Sequence, residues 1–386
     1  MKKSPISAPA NDLSRQWANV IKRRSFLAGL SVAGCSFSSG ALLADDDRKH
    51  KDQKLPKGDV AILKFLCAAE LVESDFWQQY NELGGVDGGN PAYIAALENL
   101  DSDMPQYISD NTDDEMSHAA FLNAFLVSRG EQPVNLDAFR TLPSSKATGA
   151  KQIGRLTNLM NLTVDTSWYT RYRSAQNPDL GGGPFPQAVK IAGQPAIPVD
   201  DSDTPPGQSQ PVPPTTAQQS RMQAIANTAG FHFATFDQAG SSVYTNLILN
   251  VTDPVTLRVL VSIMGVEVNH FAVWHDKAGN AVSQPLAGVV DPQTGVTFPD
   301  LNSPSLGELF QTNLIMPEPC QFLNPNLPKC SVIRPSLKAN AGAVVTANAI
   351  VASQIFLGQP AAFFEAVSEL AHAADAARSE RSGRDD

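Results

Sequence analysis

The chain has 386 residues, a net charge of −10 and only 18 % charged side chains. This acidity argues against nucleic acid or an anionic membrane surface as partner, since both repel it. The length suffices for a large buried core. The 28 prolines and 26 glycines predict long ordered loops around a helical centre, rather than disorder throughout.

The chain opens on Lys22-Arg23-Arg24-Ser25-Phe26-Leu27, a twin-arginine pattern, followed by the weakly apolar run Ala28 to Gly34. That run is too short to span a membrane permanently and reads as an export signal over residues 1–44, outside the fold. Ala41-Leu42-Leu43-Ala44 offers a cleavage site and predicts soluble periplasmic or secreted release through the twin-arginine export machinery. Val32-Ala33-Gly34-Cys35 instead resembles a lipobox, which would anchor the chain at Cys35. Residues 45–57 are charged and read as a flexible leader.

Asp59 to Leu83 has no internal Pro or Gly and stops at Gly84-Gly85, which predicts one long helix. Glu70 falls among Leu63, Leu66, Cys67, Ser74 and Trp77 on its face. A solvated Glu would stand opposite such a stripe, and a buried carboxylate asks for a cation. Glu73 on the same helix competes for that role. Cys67 reads as a small buried hydrophobe.

A second helical stretch runs from Pro91 to about Arg129, with a break near Met104-Pro105. It carries Glu115-Met116-Ser117-His118. Residues three apart share a helix face, so this carboxylate and imidazole can reach one ion. Asp113 and Asp114 are expected to face solvent. Residues 130–215 interrupt the pattern, with one helix expected over Gln152–Arg173 and then a Gly- and Pro-rich loop forming a cover or a connector.

Thr216 to Val251 predicts the third long helix, with Asp237 among Phe233, Ala234, Gly240, Ser241 and Tyr244. Gly240 makes room either for metal or substrate or for a neighbouring helix. Asp253-Pro254 then starts a fourth helix, as N-cap and first position. It carries Glu267-Val268-Asn269-His270 between Leu260, Ile263, Phe271 and Trp274. No segment beyond the export signal reads as transmembrane. Residues 281–342 look irregular, and Cys320 and Cys330 bracket a loop in which they could pair after export. Ala343 to about Arg378 predicts one or two outer helices.

A lone Glu-x-x-His is a weak signal; two, each with an upstream acid on its own helix, are much stronger. Four helices bearing these six groups could enclose a two-metal site. A third match, Glu369-Leu370-Ala371-His372, has no acid-bearing partner helix and reads as a surface feature. His232 and His275 read as structural.

These motifs resemble the ferritin-like di-metal carboxylate proteins, and most closely the exported, desiccation-related group among them. Ala69-Glu70-Leu71-Val72-Glu73 is similar to that group's first-helix motif, Asp114 to His118 to its second, Phe236 to Tyr244 to its third, and Glu267 to His270 to its fourth. The third departs by carrying Asp237 where Glu is usual, shortening the reach by about 1.5 Å, one C–C bond. The resemblance covers roughly 58–130 and 216–280. It implies an all-α, ferritin-like four-helix bundle over 58–280, with an insertion at 130–215 between helices 2 and 3 and a C-terminal extension over 281–386.

The resemblance further implies a pair of Fe or Mn ions held by Glu70, Glu115, His118, Asp237, Glu267 and His270. Glu115 and Glu267 would bridge or flank the ions, His118 and His270 would each hold one, and Glu70 and Asp237 would be terminal. Tyr244 is a candidate hydrogen-bond or radical relay, against the plainer reading of a core aromatic. The expected partners are dioxygen, peroxide or another small substrate, with oligomerisation open. The competing reading is a non-enzymatic stress or desiccation-related protein whose metal binding is incidental or vestigial. Iron storage in a cage is disfavoured by the long insertions.

Overall fold

The computed structural model describes residues 54–172, 179–180, 185–203, 216–280, 287–301, 303, 319–320, 326–328, 330–331 and 337–377. The export signal, its cleavage site and Cys35 lie outside them, as does most of the leader. The chain is mostly helical, with few strands.

Four long helices carry the molecule: α1 (Lys57–Gly84), α3 (Met104–Ser128), α5 (Thr216–Leu247) and α6 (Pro254–Asn280). A short α2 (Pro91–Glu98) leads into α3. Its N-cap is Asn90, whose side chain accepts the Tyr93 N–H at 3.1 Å. The break between α2 and α3 falls just before Met104-Pro105, because Pro suits the first turn of a new helix and not the interior of a longer one. At the start of α6, Asp253 Oδ1 accepts the Thr256 N–H at 2.7 Å, the cap that Asp-Pro predicts. The buried Asp59 on α1 accepts the N–H groups of Thr252 and Asp253, which ties the start of α1 to the start of α6.

α1 packs along α3, and α5 along α6. An aromatic layer joins the pairs at one end. Trp77 stacks on Phe233 at 4.8 Å and on Trp274 at 5.3 Å, and Phe76 meets Phe236 edge-on at 4.5 Å. Such contacts each add about 0.5–1.5 kcal/mol beyond area burial, and here they fix the relative rotation of α1, α5 and α6. By length and composition, Pro254–Lys277 is apolar enough to cross a membrane. In the fold it packs along α5, and its buried side carries Glu267 and His270.

The expected helix over Gln152–Arg173 is not formed. The segment gives β1 (Leu162–Val164) and a single helical turn, α4 (Trp168–Arg171). β1 pairs antiparallel with β2 (Ile191–Gln194), which lies in the stretch read as loop. Two physical causes are visible. Thr163, Val164 and Thr166 favour a pleated chain. The buried Asp75 of α1 also captures the backbone N–H groups of Leu156 and Thr157, at 3.0 and 2.9 Å, which a helix would have needed for itself. Arg140 closes on the other Asp75 oxygen at 2.7 Å, so one carboxylate pins the insertion to α1.

β3 (Pro319–Cys320) and β4 (Cys330–Ser331) pair antiparallel, with Cys320 opposite Cys330 in the backbone register. The C-terminal part folds as α7 (Lys338–Ala341), α8 (Ala343–Ala352) and α9 (Ala361–Asp375). Asp375 accepts the N–H groups of Ala343 and Val344, at 2.9 and 3.1 Å, capping α8 from the end of α9. α9 packs against α1. Glu369 and His372 are exposed on its outer side.

Candidate metal centre

Each long helix delivers acidic or imidazole groups to one buried point. α1 brings Glu70 and Glu73, α3 brings Glu115 and His118, α5 brings Asp237, and α6 brings Glu267 and His270; all are buried. The ligand-capable atoms form two groups. In one, Glu70, Glu115, His118 and Glu267 lie within 4.8 Å of one another; in the other, Glu115, Asp237, Glu267 and His270 do. Glu115 and Glu267 belong to both.

The first group closes around one nitrogen. His118 Nδ1 lies 3.2 Å from Glu115 Oε2, 3.2 Å from Glu267 Oε1 and 3.3 Å from Glu70 Oε2. A single N–H is directional and serves one acceptor well. Here it serves Glu115, leaving Glu70 Oε2 and Glu267 Oε1 in ion-pair range but without a hydrogen bond. In the second group His270 Nδ1 lies 3.0 Å from Glu115 Oε1, while its Nε2 meets Asp114 Oδ2 at 3.2 Å. Both oxygens of Asp237 are buried and unpartnered.

Together, Glu70 Oε2, both oxygens of Asp237 and both of Glu267 are buried carboxylate oxygens with no hydrogen-bond partner. Leaving such groups unsatisfied is among the costliest arrangements in a folded chain. Cations bound within the two groups would supply the missing partners. Hard carboxylate oxygens with one imidazole per group suit first-row divalent ions. The donor set therefore fits bound metal.

The sequence matches the ferritin-like domain family over residues 58–280. The chain belongs to that family. No curated protein and no solved structure matches it.

Protonation in this ferritin-like site follows from burial and crowding. Burial pushes the Glu70 carboxyl up to about 8, against the pull of His118. Burial and neighbouring carboxylates also raise Glu73 and Asp237, and burial, with Glu115, raises Glu267. Glu115 moves the other way: burial opposes its charge, but hydrogen bonds from His118 and His270 hold it below the usual carboxylate range. For both imidazoles burial favours the neutral form, yet the facing carboxylates win and hold them well above the usual histidine range. Without metal, the site balances its charge with protons.

The six residues singled out in the sequence are thus brought together. Tyr244 also reaches them, its hydroxyl donating to Glu70 Oε1 rather than packing only as a core aromatic. Gly240 stands beside a carboxylate: a Cβ there would come within 3.1 Å of Glu267 Oε2 and 3.7 Å of Glu73 Oε1. Cys67 is buried as expected, its Sγ 3.8 Å from the Ala119 carbonyl, and burial pushes its thiol up to about 12.

Two positioning groups escaped the sequence reading. Asp114, expected to face solvent, is only partly exposed and holds His270. Asn111 donates to Glu115 Oε1 at 2.9 Å and accepts the Trp274 indole N–H at 3.0 Å. Asn111 stands one turn before Glu115, an i,i+4 signal that was legible. Asp114 had no such signal, because its partner comes from another helix.

Proposed function

We propose that the chain is an exported ferritin-like protein, a four-helix bundle holding two Fe or Mn ions that react with dioxygen or peroxide. The observation carrying this reading is that Glu115 and Glu267 are shared by two carboxylate–histidine groups. Shared carboxylates between two ion positions are what a di-metal centre in a bundle core needs. The bound pair would supply reversible one-electron steps to the oxidant.

The chain's own part is holding, orienting and proton placement. Glu70 and His118 would hold one ion, Asp237 and His270 the other, with Glu115 and Glu267 between them. Asp114 takes the Nε2–H of His270, which fixes the tautomer that leaves Nδ1 as ligand. Tyr244 donates a hydrogen bond to Glu70 Oε1, which leaves Oε2 as the oxygen free to serve the site. The wall of Trp77, Phe233 and Trp274 closes the bundle's aromatic end against water.

Export rests on the twin-arginine pattern at Lys22 to Leu27, which delivers the chain to the periplasm or beyond it. In that oxidising compartment Cys320 and Cys330 would form a disulfide, consistent with their facing backbone positions. A second reading, a stress- or desiccation-related scaffold with vestigial metal binding, is favoured by Asp237, whose side chain is one methylene shorter than Glu and would hold a second ion less firmly.

The test is elemental analysis of the exported, untagged protein beside the Glu115→Ala/Glu267→Ala variant, with peroxide and dioxygen consumption assayed on both. Two Fe or Mn per chain, with turnover that the variant loses, supports the catalytic reading. Metal without turnover, or no metal and equal thermal stability in both proteins, establishes the scaffold reading instead.

A further inference from the structure

A second pocket, partly open to solvent, lies on the opposite side of α5 from Asp237. It is a cavity of about 380 Å³ between the insertion, α5 and α8. Its walls are mainly apolar, with Val164, Ile191, Phe236, Ala239 and Ile350 among them. Lys190 and Gln187, both exposed, line it as well. Its size lies within the range of small-molecule sites. It is built from three parts of the chain that are hydrogen-bonded to one another. Thr235 of α5 donates to the Asp165 carbonyl at 3.1 Å, and the Thr163 N–H of β1 donates to the Ser353 carbonyl after α8 at 2.8 Å.

One polar group in the wall is unexplained. His232 is 1 % exposed, lines the cavity, and carries an Nε2 with no partner. Its Nδ1 lies 2.9 Å from the Tyr80 hydroxyl. A phenol is the better donor and an imidazole nitrogen the better acceptor, so Tyr80 donates and Nδ1 accepts. His232 is neutral, because burial among Phe76 and Phe236 pushes it down to about 3. The remaining proton is then on Nε2, a buried N–H without an acceptor, on the ring edge away from Tyr80. Leaving such a donor unmet is costly.

We propose that this cavity binds an uncharged small organic molecule with an apolar body and one carbonyl or hydroxyl oxygen, which accepts the hydrogen bond from His232 Nε2–H. The site is separate from the metal centre. His232 reaches no metal-facing group, and its hydrogen bond runs to Tyr80 in the aromatic layer. The apolar walls take up the ligand's body, and His232 sets its orientation. A charged ligand is disfavoured at depth, since the buried Arg171 of the lining is already engaged by the Asp179 carbonyl and Ser167 Oγ.

The test uses full-length, metal-loaded protein and the neutral fluorescent ketone 6-acetyl-2-(dimethylamino)naphthalene, whose emission moves to the blue on leaving water. The expected result is saturable one-to-one binding. Ala349→Trp, which fills the cavity from α8, should abolish it. His232→Phe should weaken it about tenfold, the worth of one buried neutral hydrogen bond. The metal content of both variants should match the parent. The ketone's deoxygenated analogue, 6-ethyl-2-(dimethylamino)naphthalene, should bind the unaltered protein about tenfold more weakly, which tests the acceptor even if His232→Phe does not fold. Non-saturable binding, binding that survives Ala349→Trp, or an analogue that binds as tightly as the ketone would each overturn the proposal. None of these readouts depends on which ion, if any, the metal centre holds.

Discussion

The two halves of the candidate metal centre share two carboxylates, each adds one imidazole and one acid, and they differ in how those added groups are held. Around His118, three carboxylates converge on one nitrogen, and Tyr244 donates a hydrogen bond to one of them, Glu70. Around His270, the imidazole is held from behind by Asp114, and neither oxygen of the remaining acid, Asp237, accepts a hydrogen bond. One half is crowded with acid at the ligand end; the other is braced at the far end and left with a short terminal carboxylate. The difference shows that a repeated motif does not build a repeated site. What stands behind each imidazole and each outer acid differs between the halves.

The sharpest way to break this comparison is to remove what the halves share. Glu115→Ala/Glu267→Ala should lose both ions together, read as metal per chain; retention of one full ion would show that a half-site is complete by itself. The next effect is on stability in chelator. Glu70, raised by burial to about 8, binds more protons folded than unfolded between its ordinary range near 4.5 and about 8. Stability then falls as pH rises across that window. The raised shifts of Glu73, Asp237, Glu267, His118 and His270 act with the same sign. Glu115, held low, contributes only below its ordinary range. The metal-free protein should therefore melt at progressively lower temperature from pH 5 to pH 8, and metal should flatten the trend by replacing the protons. A flat metal-free profile would contradict the charge balance described for the site.

Smaller effects separate the halves. Asp114→Asn should weaken one ion by about 10- to 100-fold and spare the other, as loss of a carboxylate behind a ligating imidazole does; calorimetric titration with two resolved steps reads this directly. Equal weakening of both steps would mean that the halves act as one unit. Asp237→Glu, restoring the missing methylene, should tighten the weaker step by about tenfold, and an unchanged isotherm would show that reach does not limit that half.

Much of this was legible in the sequence because helices impose a period on it. Glu70, Glu115, His118, Asp237, Glu267 and His270 each sit on an apolar face, and a buried ionisable group in such a stripe announces a partner. The breaks at Met104-Pro105 and Asp253-Pro254 were equally plain, since proline removes a donor and fixes one torsion. The insertion was not legible. Residues 152–167 become strand and turn because Asp75, on a distant helix, takes their N–H groups. Asp114 was misread for the same reason: its partner lies on α6, and no spacing within α3 could reveal it.

The sequence by itself determined the four long helices, the family and the acids and imidazoles that face inward, because these follow from periodicity and from the cost of burying charge. Only the tertiary structure decided which carboxylates are shared, which half is braced, and that α5 carries a cavity on the face away from its metal-facing acid. Those depend on how separate helices are rotated and spaced against one another. That is fixed by interlocking side chains such as Trp77, Phe233 and Trp274 rather than by any local rule.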